Sequence, residues 1–223
     1  MALWFDGRND QIFMGRLDVP ANTTQFTMCG WFVTDKDADM YIINKASGTR
    51  TSNNTWTLAV DSSQRLYGRL KINGTTTEIK VPNTGEVEFD KLHHGAMTYD
   101  GSQIKLYLDG VLRVTAARTG DVTIDTNDVA IGSRANSARS REWRGELSDI
   151  RIYTRALTEI DVNNIIASQG NDFDTIGLIH RWPLRELEDG TVANTTVYDI
   201  VGGANGTSLS SPYYKNDIIR HSR

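Results

Sequence analysis

The chain of 223 residues has one cysteine, four prolines and no long apolar run, and each scarcity excludes something. Cys29 has no second cysteine to pair with, so no intrachain disulfide forms. It lies inside the apolar run Phe26–Val33, which reads it as a buried, inert thiol. Few prolines and no polar low-complexity tract leave little room for disorder. No stretch approaches the ~18 apolar residues of a membrane-spanning helix, so no membrane partner is expected. Met1–Gly7 lacks the basic and apolar regions of a signal peptide. The expectation is a protein made in the cytoplasm and used inside a cell or in a virion. A mature extracellular form carrying a new Met is the alternative. The net charge of −4 is mild, so no nucleic-acid partner is expected. No phosphate-binding loop, Ser-His-Asp grouping or Cys/His zinc spacing occurs.

What is present is period-two alternation broken by Gly, Asn and Asp clusters. It predicts strands over Leu3–Phe5, Gln11–Met14, Phe26–Val33, Tyr41–Ile43, Trp56–Val60, Leu66–Ile72, Thr75–Val81, Gly95–Tyr99 and Gln103–Leu108. Asn73-Gly74 is a type I′ hairpin signal, because both positions tolerate positive φ. Asp100-Gly101 joins a second pair. In Gln103–Leu108 the residues Ile104, Leu106 and Leu108 share one face, with Lys105 and Tyr107 on the other. One helix stands out: Thr158 as N-cap, Asp161 three residues on, Val162, Ile165 and Ile166 at helical spacing, and Gly170 as terminator. Leu178–Leu184 reads as a strand anchored by Trp182, and Asp199–Thr207 as a glycine-rich turn. Asn-x-Ser/Thr matches at Asn22, Asn53, Asn73, Asn194 and Asn205 read as turn chemistry. The prediction is an all-β fold, a two-sheet antiparallel jelly-roll sandwich of about thirteen or fourteen strands with one short helix. Residues 1–184 form the sandwich. Residues 185–223 form an extension that packs on it or, from Pro212, reaches a neighbouring subunit in a homo-oligomer.

The order of runs from Lys91 to Ile160 is more specific than any single one. His93–Gly101 leads into Ile104–Leu112, then Ala130-Ile131-Gly132, then Gly145–Thr158. This set resembles the laminin-G-like members of the concanavalin A-like jelly rolls, relatives of pentraxins and legume lectins, over roughly Ala2 to Leu184. Phe5-Asp6-Gly7 matches the opening strand, and Phe26–Val33 the strand carrying an inward Trp. The resemblance implies a structural role for His94. For pentraxins it implies a calcium site from an early Asp-Asn pair and an acidic cluster after the Ile-Gly strand. Here the early loop offers Asn53-Asn54, and the later one reads Ser133-Arg134-Ala135-Asn136-Ser137-Ala138-Arg139. Calcium takes six to eight oxygens, several of them anionic. Arginines in place of acids repel it, so no metal and no other cofactor is expected.

Some members of the superfamily hydrolyse glycosides with paired carboxylates. Glu146 and Asp149 are three apart, which puts them on opposite faces of a flat strand. Glu86 and Glu88 share a face, but at a strand edge without nearby aromatics. His93 and His94 point to opposite faces and cannot chelate together. Asp35, Asp37 and Asp39 read as a solvated loop, and Asp6 and Asp100 as turn holders. No catalytic residue is assigned, and the chain is read as a non-enzyme.

Six arginines crowd Arg134 to Arg155, a density that suits either a carboxylate or phosphate partner or an ion-paired face. Trp56 and Trp143 are the candidate exposed, sugar-stacking aromatics; Trp4, Trp31 and Trp182 read as core. The candidate ligand- or partner-binding residues are Asn53, Asn54, Trp56, Arg134, Asn136, Arg139, Arg141 and Trp143. Function is expected to be assembly or binding: a virion structural protein of a tailed phage, as capsid decoration or tail component, partnered by a capsid or tail subunit. A lectin-like module binding cell-surface glycan is the alternative, and a glycoside hydrolase the third reading.

Overall fold

Alternation sets the buried side of every strand. A computed structural model of the protein describes residues 1–46, 54–135, 141–172, 175–185, 190–191, 196–210 and 212–215. Its strands are β1 (Ala2–Asp6), β2 (Gln11–Arg16), β3 (Phe26–Thr34), β4 (Met40–Ala46), β5 (Asn54–Val60), β6 (Leu66–Ile72), β7 (Thr75–Lys80) and β8 (His93–Tyr99). They continue as β9 (Gln103–Leu108), β10 (Val111–Ala117), β11 (Asp128–Ile131) and β12 (Arg144–Tyr153). After helix α1 (Glu159–Ser168) come β13 (Leu178–Trp182), β14 (Thr196–Val197), β15 (Gly206–Leu209) and β16 (Tyr213–Lys215).

These strands form two eight-stranded sheets. The first runs β10-β9-β8-β3-β12-β1-β16, with β13 also on β12; the second runs β14-β15-β2-β11-β4-β5-β6-β7. Every ladder is antiparallel. Among the described residues the chain therefore forms the predicted all-β sandwich with one helix. Leu3, Phe5, Phe26, Met28, Phe32, Met97, Leu106 and Leu147 of the first sheet meet Ile12, Ile42, Trp56, Leu58, Leu66 and Leu70 of the second in one buried cluster. The sheets approach closely: a Cβ on Gly68 would lie 2.4 Å from Met97 Sδ. Burying such side chains contributes roughly 1.5–3 kcal/mol each.

The Asn73-Gly74 turn has φ of 45° and 75°, as the hairpin signal requires. Helix α1 opens with the expected capping box: Asp161 N donates to Thr158 Oγ1 at 3.2 Å, and Thr158 N donates to Asp161 Oδ2 at 2.8 Å. Gln169, with φ 50°, turns the chain out of the helix one residue before Gly170. Val162 and Ile165 cover Cys29, Ala96, Tyr107 and Tyr153 on the outer face of the first sheet. Cys29 lies opposite Ala96, fully buried, and burial pushes its thiol up to about 12.

Three details depart from expectation. Sixteen strands occur among the described residues. β10 follows the Asp109-Gly110 turn as a strand of its own, and short β14, β15 and β16 pair onto β2 and β1. Tyr213–Lys215, at the start of the expected arm, is the edge strand beside β1; residues 216–223 lie outside the described ones. A bulge in β12 puts Asp149 and Ile150 opposite the single residue Gly30, with Asp149 at φ 50°. The extra residue resets parity, so Glu146 and Asp149 do not fall on opposite faces.

Candidate functional site

The outer face of the second sheet is polar and built on two tyrosines. In β5, Trp56, Leu58 and Val60 point into the core while Thr57 and Ala59 point out. Tyr41 of β4, Ala59 of β5 and Tyr67 of β6 form a separate buried cluster on that outer side. Arg69, two residues beyond Tyr67, shares the face. Its guanidinium lies 4.8 Å above the Tyr67 ring and donates to Tyr41 Oη at 3.2 Å. Arg134 donates to the same oxygen at 2.9 Å, with its guanidinium 5.5 Å from the Tyr41 ring centroid. Two cations thus converge on one phenol. Burial pushes the Tyr41 hydroxyl up, but donation from Arg134 and the charges of Arg134 and Arg69 outweigh it and hold the phenol below its ordinary value.

Residues 133–135, just after β11, are pinned to this face. Gln11 Nε2 donates to Ser133 Oγ at 2.6 Å and to the Arg134 carbonyl at 2.8 Å. Ala135 N donates to Asn44 Oδ1 at 3.2 Å, and Asn44 Nδ2 donates to Thr57 Oγ1 at 2.8 Å. The Arg141 carbonyl accepts from Tyr41 N at 3.0 Å. Asn54, which begins β5, is buried beside the Tyr41 hydroxyl, and its side chain helps to hold that phenol below its ordinary value. Beside it the Arg69 guanidinium is held by Glu78, whose side chain is 39% exposed. Lys80 lies 5.1 Å from the Tyr67 ring centroid and pairs with Asp61 at 3.0 Å.

The structure brings Asn54 and Arg134 together at this face and places Arg141 at its border, ion-paired with Asp39. Asn53, Asn136 and Arg139 lie outside the described residues. Trp56 and Trp143, expected as exposed aromatics, are instead core. Trp56 packs 5.9 Å from Phe26. Trp143 stands edge-on to Phe32 at 5.7 Å and donates to the Val33 carbonyl. The reverse holds for Trp4 and Trp31, expected as core: both are half-buried on the outer face of the first sheet. Parity explains the inversion. Trp56 alternates in phase with Leu58 and Val60, whereas Trp4 is out of phase with Leu3 and Phe5, and Trp31 with Phe32. Tyr41, Tyr67 and Arg69 were missed as site residues; the same alternation, read for the polar face, marks them.

The arginine crowd resolves largely into pairs spread over both sheets. Arg144 meets Asp35, Arg155 meets Asp161, and buried Arg151 meets Asp149 and Asp172. Asp35 and Asp39 thus face arginines. Among the described residues, no group of three or more His, Cys, Asp or Glu side chains is placed to hold a metal. Glu86 lies in a turn and pairs with Arg113, and Glu88 is exposed on Lys91, so these two do not share a strand face. Glu146 pairs with Lys215 at 3.3 Å. His93 hydrogen-bonds Asp109, while His94 faces the other way, buried against Trp31.

A laminin-G-like family model described as the concanavalin A-like lectin/glucanases superfamily matches residues 6–163. Among curated proteins none matches at a significant level. Among solved structures, a protein of Bacteroides ovatus whose name proposes carbohydrate binding is 20% identical with a TM-score of 0.65, over 97% of this chain and 60% of that one. A Ruminococcus gnavus sialidase carbohydrate-binding module, CBM40, bound to α2,3-sialyllactose is 16% identical with a TM-score of 0.54, over 63% of this chain and 82% of that one. Tailspike protein 2 of an Escherichia coli O157:H7 bacteriophage is 15% identical with a TM-score of 0.52, over 82% of this chain but 26% of that one. At these identities the likeness is one of fold.

Proposed function

The chain belongs to the concanavalin A-like lectin/glucanases superfamily, and on that premise we propose that it is a non-catalytic glycan-binding module for acidic sugars. The observation that carries the reading is the pair of arginines that converge on Tyr41. Arginine's planar fork suits a carboxylate. A sugar carboxylate takes the place that Glu78 holds on Arg69. The likeness to a sialyllactose-bound module supports a carboxylated sugar, and the paired state of Glu86 and Glu146 supports the absence of hydrolysis.

A glycan array with the purified chain, run with calcium and again with chelator, tests this. Sialylated or uronate-bearing hits that survive chelation are expected; an array blank for acidic glycans overturns the reading.

The likeness of most of this chain to a stretch of a tailspike favours a setting. We propose that the module works on the particle of a tailed phage, partnered by a capsid or tail subunit. Mass analysis of purified particles tests it: the chain is expected among the components, and its absence rejects the setting.

A further inference from the structure

The outer face of the first sheet carries a second arrangement of aromatics, far from Tyr41 and on the opposite side of the core. Register puts Trp4 of β1 between Glu146 of β12 and Tyr213 of β16. On the other side of β12, Trp31 of β3 stands opposite Ser148. Leu3, Phe5, Phe32, Leu147 and Tyr214 alternate into the core, so these neighbours all point outward. Trp4 and Trp31 are half-buried, and Tyr213 is 36% exposed. The Trp4 and Tyr213 rings are 6.3 Å apart and tilted by 33°. Lys215 Nζ sits 4.5 Å from the Trp4 ring centroid and 3.3 Å from Glu146 Oε1.

We propose that this ledge is a second carbohydrate site, for uncharged oligosaccharides, independent of the acidic-sugar reading above. The two tryptophans stand on strands separated by β12 and are offset by two residues along it, so their backbones lie about 12 Å apart by strand spacing and rise, which leaves room for a short chain of sugar rings. Between them the floor is polar and nearly buried: Glu146 pairs with Lys215, and Ser148 Oγ donates to the Pro183 carbonyl at 3.2 Å. Aromatic walls over a carboxylate-and-hydroxyl floor match a pyranose, which presents apolar C–H faces and a rim of hydroxyls. Half-exposed aromatics supply large contact area at low entropic cost, and a few convergent polar groups fix orientation. Lys215 and Tyr213 belong to β16, so the segment after residue 184 completes the ledge.

The test uses the full chain and intrinsic tryptophan fluorescence, titrated with cellohexaose, maltohexaose and chitohexaose. At least one probe is expected to shift the emission, since Trp4 and Trp31 sit at the ledge. Trp4→Ala and Trp31→Ala should each weaken that probe at least tenfold, Trp4→Phe much less, and Arg69→Ala not at all. Far-ultraviolet circular dichroism and melting identify any variant that misfolds, and Tyr213→Ser then serves in its place. No response to any of the three probes overturns the proposal. So does binding that survives both alanine variants, or a change of oligomeric state without loss of sugar binding, which would mark the ledge as a contact between copies. Loss of acidic-sugar binding alone leaves this site standing, and the reverse holds too.

Discussion

Gly30 and Ile150 meet where β3 crosses the bulge in β12: a Cβ on the glycine would lie 2.3 Å from the isoleucine Cδ1. The bulge turns Ile150 into the core while Asp149 reaches Arg151 and Arg181 outside. Gly30→Ala forces the isoleucine off its rotamer and should destabilise by roughly 1–3 kcal/mol. Denaturant unfolding at neutral pH reads this directly, and an unchanged midpoint would show that the bulge accommodates the methyl.

Glu78 competes with a ligand carboxylate for Arg69. Because Glu78 is exposed, its removal costs little stability. Glu78→Gln should therefore strengthen binding of a carboxylated glycan several-fold and leave melting within a few degrees. Weaker binding in this variant would place Glu78 in contact with the sugar instead.

His94 predicts an acid-sensitive fold. Both ring nitrogens are buried without a partner. Burial first, and the charge of Arg151 second, push its pKa down to about 4 against the opposing Asp149, Asp109 and Asp172. The folded value lies below the unfolded one of about 6.5. This stability is thus complete above about pH 6.5 and is lost as pH falls toward 4, on the order of 3 kcal/mol in all. His94→Phe should flatten that part of the profile and raise neutral stability by about 1 kcal/mol, since no polar atom is then left unmet. Unfolding curves across this range, for both proteins, are the check.

Asp199 organises the turn before β15. Its carboxylate accepts from the N–H groups of Arg181, Val201, Gly202 and Ala204 and meets His180 Nδ1 at 2.7 Å. Burial opposes its charge, but these donors hold it well below the usual carboxylate range. Asp199→Ala should cost roughly 3 kcal/mol. Amide exchange over 199–204 should accelerate before the sandwich unfolds; uniform exchange in the variant would contradict a local role.

Much of this was legible in the residues. Strict alternation located the strands, Asn73-Gly74 the hairpin and Thr158-x-x-Asp161 the helix start, because each is a local preference that the fold keeps. The bulge at Asp149 was not legible, since it depends on the glycine across the ladder. The candidate site was legible only in part. Arg134 and Asn54, expected from their loops, lie at the Tyr41 face, whereas Tyr41 and Arg69 come together only through the pairing of β4, β5 and β6. The tryptophans were misread by treating apolar surroundings as burial, when parity within Leu3-Trp4-Phe5 and Thr55-Trp56-Thr57 already separated the faces.

The central claim is that the Arg69–Tyr41–Arg134 face binds a carboxylated sugar. Calorimetric titration of α2,3-sialyllactose into the wild-type chain and into Arg69→Ala tests it most directly. Saturable heat in the wild type, with affinity at least tenfold weaker in the variant, about 1.4 kcal/mol, is the predicted result. No saturable heat in the wild type, or equal affinity in a folded variant, would contradict it.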